Sequence, residues 1–180
     1  MLLSLDAYYI EPIKKQDAWS ICNFVVSNEE RLKRYFPLTL QQNLTPELSN
    51  IFIEKKVKAF NTKEEYVFTL KPKNSNKIIG LVYIKELNKK PNQGELAYCI
   101  GYDYEGQGIT SKAINLLSIY AFDNLNIDIL QIIVYKDNLG SIKVAKKCGF
   151  TWIKTLEKEH TPPNEEPLDM ELYELYKKDN

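Results

Sequence analysis

The stretch Glu95-Leu96-Ala97-Tyr98-Cys99-Ile100-Gly101, followed by Gly106-Gln107-Gly108-Ile109-Thr110-Ser111, decides how this chain reads. The first segment has strand composition up to its glycine. From Ile109 the apolar residues recur at Ala113, Leu116, Leu117, Tyr120 and Ala121, one face of a helix. Gly106 and Gly108 therefore fall where a strand has ended and a helix begins. Glycine there permits close backbone approach and lets several N–H groups converge. The helix start adds unpaired donors and the positive end of its dipole, so such a turn can hold a pyrophosphate without any lysine.

Taken alone, a Gly-x-Gly turn is equally a plain tight turn before a helix. A Rossmann dinucleotide site wants a third glycine at Ser111 and more strand–helix units than the rest of the chain supplies. A P-loop needs Gly-Lys-Ser/Thr, whereas this loop runs Gly108-Ile109-Thr110. Both are disfavoured.

Working outward, the apolar run Ile129-Leu130-Gln131-Ile132-Ile133-Val134-Tyr135 has the length of a buried strand. It feeds Asn138-Leu139-Gly140-Ser141 and a second helix. Ile142, Ala145 and Cys148 share one face of it, and Lys143, Lys146 and Lys147 face away. Gly149-Phe150 has the form of a Schellman stop. Asn138 or Ser141 is the expected N-cap.

Together these motifs resemble the GNAT acetyltransferases. Tyr98-Cys99-Ile100 with Gly106-Gln107-Gly108-Ile109-Thr110 is similar to their motif A. Asn138-x-x-Ser141 with Ala145-Lys146-Lys147-Cys148-Gly149-Phe150 is similar to their motif B. Within the superfamily the chain most resembles the RimJ/RimL branch of ribosomal-protein N-terminal acetyltransferases. Asp169-Met170-x-x-Tyr173-x-Leu175 matches the usual last strand, and Thr45-Pro46-Glu47 opens a second helix where the branch has one.

The resemblance implies an α/β (α+β) fold with a mixed, mostly antiparallel sheet of about seven strands and about four helices. It implies one GNAT domain over residues 1–180. The implied donor is acetyl-CoA, held by Cys99, Ile100, Gly101, Gly106, Gln107, Gly108, Ile109, Thr110, Ser111, Asn138, Ser141 and Lys147. Backbone N–H groups around Cys99 and Ile100 would polarise the thioester carbonyl. Glu95, at the start of the strand leading to the turn, is the candidate general base, acting directly or through one water. Ser141 is the candidate general acid and Tyr173 the weaker one.

One departure bears on the donor site. Glu105 occupies the first position of the Gln/Arg-x-x-Gly-x-Gly/Ala pattern, where an acid would repel phosphate if it turned inward. Its side chain is expected to turn to solvent. Thr110 replaces a small residue, and Lys112 stands where the branch often carries an acid, a replacement positive charge.

The acceptor end is expected to be a primary amine: a peptide N-terminus, a polyamine or an aminoglycoside-like molecule. Glu165 and Glu166 in the acidic loop near the end would attract such a cation, and Tyr35 and Phe36 would wall its pocket.

Composition agrees with one ordinary globular domain. The chain has 180 residues, 44% hydrophobic content, and 24 basic against 24 acidic side chains. Net neutrality argues against a nucleic-acid binder. No apolar run reaches membrane-spanning length, and Met1 to Leu5 is too short and uncharged for a signal peptide. Cys22, Cys99 and Cys148 are scattered and odd in number, as expected of core thiols in a reducing cytoplasm. With His160 as the one histidine, Ser-His-Asp chemistry and histidine-rich zinc sites are disfavoured and no metal is expected. A monomer or homodimer is expected.

Elsewhere, strands are expected near Tyr8–Glu11, Tyr66–Leu70, Ile78–Leu87, Trp152–Glu157 and Leu168–Tyr176. Helices are expected at about Gln16–Ser27 and Thr45–Phe60, with a variable segment, Asn28 to Leu44, between them. The leading function is a RimJ/RimL-like N-acetyltransferase. The alternative is a non-catalytic acyl-CoA-binding or regulatory domain of the same fold, and a phosphate-loop nucleotide binder stands third.

Overall fold

The computed structural model describes residues 2–89 and 91–178. Among them are eight strands, hydrogen-bonded in the order β1-β2-β3-β4-β5-β6-β8-β7. The strands are β1 (Leu3–Leu5), β2 (Tyr8–Pro12), β3 (Tyr66–Pro72), β4 (Gly80–Lys89), β5 (Asn92–Ile100), β6 (Ile129–Tyr135), β7 (Thr151–His160) and β8 (Leu168–Tyr176). Six helices accompany them: α1 (Ala18–Ser27), α2 (Glu29–Tyr35), α3 (Pro37–Gln41), α4 (Pro46–Thr62), α5 (Ile109–Asn124) and α6 (Leu139–Lys147). The mixed, mostly antiparallel architecture is the expected one, with an eighth strand and two extra helices.

The additions have local causes. Strand β1 is only three residues long and pairs antiparallel with β2, too short to stand out as alternation. Helices α2 and α3 lie in the variable segment, to which the sequence pattern assigns no element. Pro37 at the first helical position of α3 fits there because its missing N–H has no helical partner to lose.

The chain forms two compact units. The first comprises residues 1–83, 98–105 and 162–164, and the second residues 84–97, 106–161 and 165–180. In the first, β2 pairs antiparallel with β3, and the core is built from Ile10, Ile21, Val25, Leu32, Ile53, Val67 and Phe68. Thr45 caps α4 by accepting the Leu48 N–H at 3.3 Å, as its place before Pro46 suggests. Phe60 near the end of that helix meets Tyr66 and Phe68 edge-on. A cavity of about 490 Å³ is lined in part by Tyr9, Glu11, Lys14, Asp17, Trp19 and Lys71. Its charges are mutually satisfied: Lys71 Nζ lies 2.9 Å from Glu11 and 2.6 Å from Asp17, and Lys14 pairs with Glu11.

In the second unit, β6 pairs parallel with β5 and antiparallel with β8. Leu96, Ala113, Ile114, Leu117, Leu130, Ile132 and Ala145 form its core. The buried face of α5 is rotated from the expected one: Ile114 and Ser118 are buried, while Leu116 and Tyr120 are half-buried. Gly149 at φ +83° closes α6. The Phe150 N–H reaches Ala145 O at 3.0 Å and the Gly149 N–H reaches Lys146 O at 3.1 Å, the double bond of a Schellman stop. All three cysteines are free and buried, as expected.

Candidate active site

Strand β5 carries the first half of the site. Its parallel ladder with β6 holds only three pairs, Gln93–Ile129, Gly94–Leu130 and Glu95–Gln131. Beyond Glu95 the strand runs on to Ile100 without further pairing to β6. The Ile100–Gly101 peptide is fixed from both sides: the Gly101 N–H donates to Ile79 O at 2.8 Å, and Arg31 Nη1 donates to Ile100 O at 2.7 Å. Cys99 is buried, and burial pushes its thiol up to about 12, so it is a neutral packing group rather than a thiolate nucleophile.

The glycine turn lies in the second unit. Gly108 is the N-cap of α5, with φ +73° and no side-chain cap. A side chain there would be strained, and a Cβ would stand 3.8 Å from Lys147 Nζ. The first turn of a long helix is thus left without a capping side chain beside a lysine supplied by α6. Such a cradle fits a phosphate group, by backbone donors, dipole and counter-charge together. Lys147 is therefore the lysine that meets Gly108. The thiol of Cys148 donates to Ser111 O at 3.2 Å and ties the end of α6 to the start of α5.

Glu95 is mostly buried, at 14% side-chain exposure, with Lys85 Nζ 3.1 Å away. Burial raises its carboxyl above the ordinary value. Lys85 opposes that rise, and Glu86 and Glu159 add to it. Asn138 is the cap of α6, its Oδ1 accepting the Ser141 N–H at 3.1 Å. Ser141 is half-buried in the first turn of that helix. Tyr173 is buried on β8, between Ile132 of β6 and Trp152 of β7, and burial raises its phenol.

At the expected acceptor end, Phe36 stacks on Tyr83 with ring centroids 6.0 Å apart. Tyr35 is half-buried with the Arg34 guanidinium 5.6 Å from its ring centre. Glu165 and Glu166 are exposed in the loop between β7 and β8. Sequence reasoning missed Tyr83, whose buried hydroxyl lies 3.0 Å from Thr39 Oγ1. An aromatic inside an apolar strand looks like packing until its partner is seen. Glu105 is half-exposed but turned to Arg31, with which it forms an ion pair, rather than simply to water.

A short parallel strand pair and a glycine-led helix head with a lysine beside it are the features to set against known proteins. The Acetyltransferase (GNAT) domain family matches residues 8–151, and the chain belongs to that family. It is an N-acetyltransferase by that membership, and acetyl-CoA is the donor such acetyltransferases use.

Among curated relatives, the Bacillus subtilis protein described as uncharacterized N-acetyltransferase YoaA is 23% identical, covering 98% of this chain and 97% of its own. The Escherichia coli spermidine N(1)-acetyltransferase is 35% identical over a shorter stretch, 40% of this chain and 39% of its own. The ribosomal-protein-S5-alanine acetyltransferase of Vibrio fischeri superimposes with a TM-score of 0.92 at 24% identity, covering 99% of this chain and 98% of its own. RimL, a ribosomal L7/L12 α-N-protein acetyltransferase solved with coenzyme A, gives 0.87 at 16% identity, covering 98% of each chain.

Proposed function

We propose that this chain moves the acetyl group of acetyl-CoA directly to a primary amine, on a protein N-terminus or a small molecule. The observation that carries the reading is the head of α5, an uncapped helix start at Gly108 with Lys147 beside it. Gly106 to Ser111 and Lys147 would hold the pyrophosphate, and Asn138 would orient the arm. Acetyl-CoA, when bound, supplies a thioester whose carbonyl carbon takes the amine and whose thiolate leaves.

Glu95 receives the proton of the acceptor amine, directly or through one water. Its raised carboxyl is a stronger base than that of an exposed glutamate. Ser141, at the head of α6, returns a proton to the leaving sulfur, and Tyr173 is the second candidate for that role. Main-chain N–H groups at Cys99 and Ile100 would polarise the thioester carbonyl.

Tyr35 and Phe36 wall the acceptor, and Glu165 and Glu166 draw in its positive charge. Glu86 and Glu159 act on Glu95 electrostatically and favour a cationic acceptor such as a polyamine or a basic N-terminus. The ion pair between Glu105 and Arg31 offsets one of the two departures, Glu105 and Thr110, that favour a non-catalytic acyl-CoA-binding domain, and so supports the catalytic reading. We place the activity in the cytoplasm, on a monomer or homodimer with a single acetyltransferase domain.

Calorimetric titration with acetyl-CoA, with NAD and ATP as controls, tests the donor. One-site binding of acetyl-CoA alone is expected, followed by turnover on a panel of N-terminal peptides and polyamines. Binding without turnover on any amine would leave the non-catalytic reading, and no binding would sink both.

A further inference from the structure

The junction of α1 and α2 grips the segment that links the donor strand to the glycine turn. Asn28 sits between the two helices with non-helical backbone, φ −124° and ψ 23°, and is only 6% exposed. Its side chain is used at both ends. Nδ2 donates to Phe24 O at 2.7 Å, and Oδ1 accepts the Tyr102 N–H at 3.2 Å. Its carbonyl accepts the Arg31 N–H at 3.1 Å, which starts α2 and sets the direction of the arginine.

Arg31 then makes three contacts to one short stretch of chain. Nη1 donates to Ile100 O at 2.7 Å, Nη2 pairs with the Glu105 carboxylate, and the guanidinium lies 4.2 Å from the centre of the Tyr102 ring. The planar guanidinium has several fixed donors and a flat face, so one residue can serve a carbonyl, a carboxylate and a ring together. A lysine has one point charge and cannot do so.

We propose that Arg31, seated by Asn28, is a positioning residue for the donor. It fixes the end of β5 and the 3-10 turn Tyr102–Tyr104 that leads by direct chain continuity into Gly106 and Gly108. It also neutralises Glu105, the acid that stands at the head of the phosphate-binding pattern. The clamp rests on the acetyl-CoA reading above and names the residue that prepares the chain for it. Arg31 touches no reacting atom in this scheme. Its effect is geometric, and a displacement of about 1 Å at a reacting centre can cost about a hundredfold.

The test compares wild type with Arg31→Ala, Arg31→Lys and Glu105→Gln. Acetyl-CoA affinity is measured by calorimetry, kcat and both Michaelis constants by steady-state kinetics, and Tm by calorimetric scan. Arg31→Ala is expected to weaken acetyl-CoA about tenfold and lower kcat, with the acceptor KM within about twofold of wild type. Arg31→Lys keeps the charge and the wild-type Tm, yet shows a similar loss. Glu105→Gln leaves the carbonyl and ring contacts in place and binds acetyl-CoA as well as wild type or about twofold tighter.

A lower Tm in Arg31→Ala with unchanged acetyl-CoA affinity and kcat would make the residue merely structural and overturn the proposal. Full restoration by lysine would overturn it too, because the planar fork would then be unnecessary. Failure of wild type to bind acetyl-CoA would instead remove the donor reading, and the clamp's role with it.

Discussion

Glu11 and Glu95 are both strand carboxylates facing a lysine on the neighbouring strand, and they end in opposite states. Glu11 lies on β2, with Lys71 of β3 at 2.9 Å and Lys14 also paired to it. Burial pushes its carboxyl up, but the hydrogen bonds from Lys14 and Lys71 outweigh that and hold it below the ordinary value. Glu95 lies on β5 with Lys85 at 3.1 Å, but burial wins there and Glu86 and Glu159 add to the rise. Two cations around one carboxylate make a structural ion cluster. One cation among three acids leaves a carboxylate that gains from taking a proton. The number of cations set against burial, rather than the presence of a lysine, separates a fastening from a base.

Glu95→Gln tests that contrast most strongly. The variant should fold, remain at least as stable as wild type at pH 8, and lose about 10²- to 10⁴-fold in kcat, read from steady-state acetyl transfer. Retention of full turnover would remove Glu95 as the base. Lys71→Met should do the reverse. It takes the ammonium from buried Asp17 and leaves Glu11 with Lys14 alone, and should cost about 3–5 kcal/mol in urea unfolding, while turnover per folded molecule stays near wild type. A loss below about 1 kcal/mol would mean that the cluster is not what fastens β2, β3 and the turn before α1.

Stability against pH should separate the two carboxylates by sign. Glu11 is held low, so its contribution is complete above about pH 4.3, the unfolded value, and is lost as pH falls through the folded one. Lys71 is raised despite burial, because Asp17 and Glu11 bond its charged form. Its contribution is complete below about pH 10.4 and is lost as pH climbs past the folded value. Glu95 is raised, so its contribution is complete below about pH 4.3 and disappears as pH rises through its folded value. Unfolding of Glu11→Gln and Glu95→Gln across a pH series should therefore converge on wild type in acid for both. Above that range the first variant should fall below wild type and the second should not.

The smallest effect is expected from Glu159→Gln. Removing one like charge should move the acidic limb of the kcat/KM profile downward by a fraction of a pH unit. An unmoved limb would mean that Glu159 does not act on the base.

Local elements were the legible ones. Strand β6, with bounds Ile129–Tyr135, and α6 with its Asn138 cap and Gly149 stop follow the expected plan. Their signals lie within a few residues of one another, and capping is a short-range hydrogen bond. The glycine turn was legible for the same reason, because φ +73° at Gly108 is a demand on one residue. Helices α2 and α3 were not. Glu29 to Tyr35 is mostly charged, and Leu32 is its one buried residue, so no periodic face announces it.

The resemblance names candidate residues for the cofactor half of the site, but contacts between distant segments were not legible. Arg31 and Ile100 are 69 residues apart, and nothing in either neighbourhood points to the other. Lys147 and Gly108 belong to separate motifs that only the family resemblance joined on one donor, and in the structure a Cβ at Gly108 would stand 3.8 Å from Lys147 Nζ.

By itself, then, the sequence determined where helices start and stop, which turn needs glycine, and which family's motifs the chain carries. All of these depend on backbone dihedrals and hydrogen bonds between near neighbours. The tertiary structure alone decided that Arg31 answers Glu105 and that Glu95 rather than Glu11 is the carboxylate held above its ordinary value. Those outcomes depend on desolvation and on charges brought together from distant segments, and neither exists until the chain has folded.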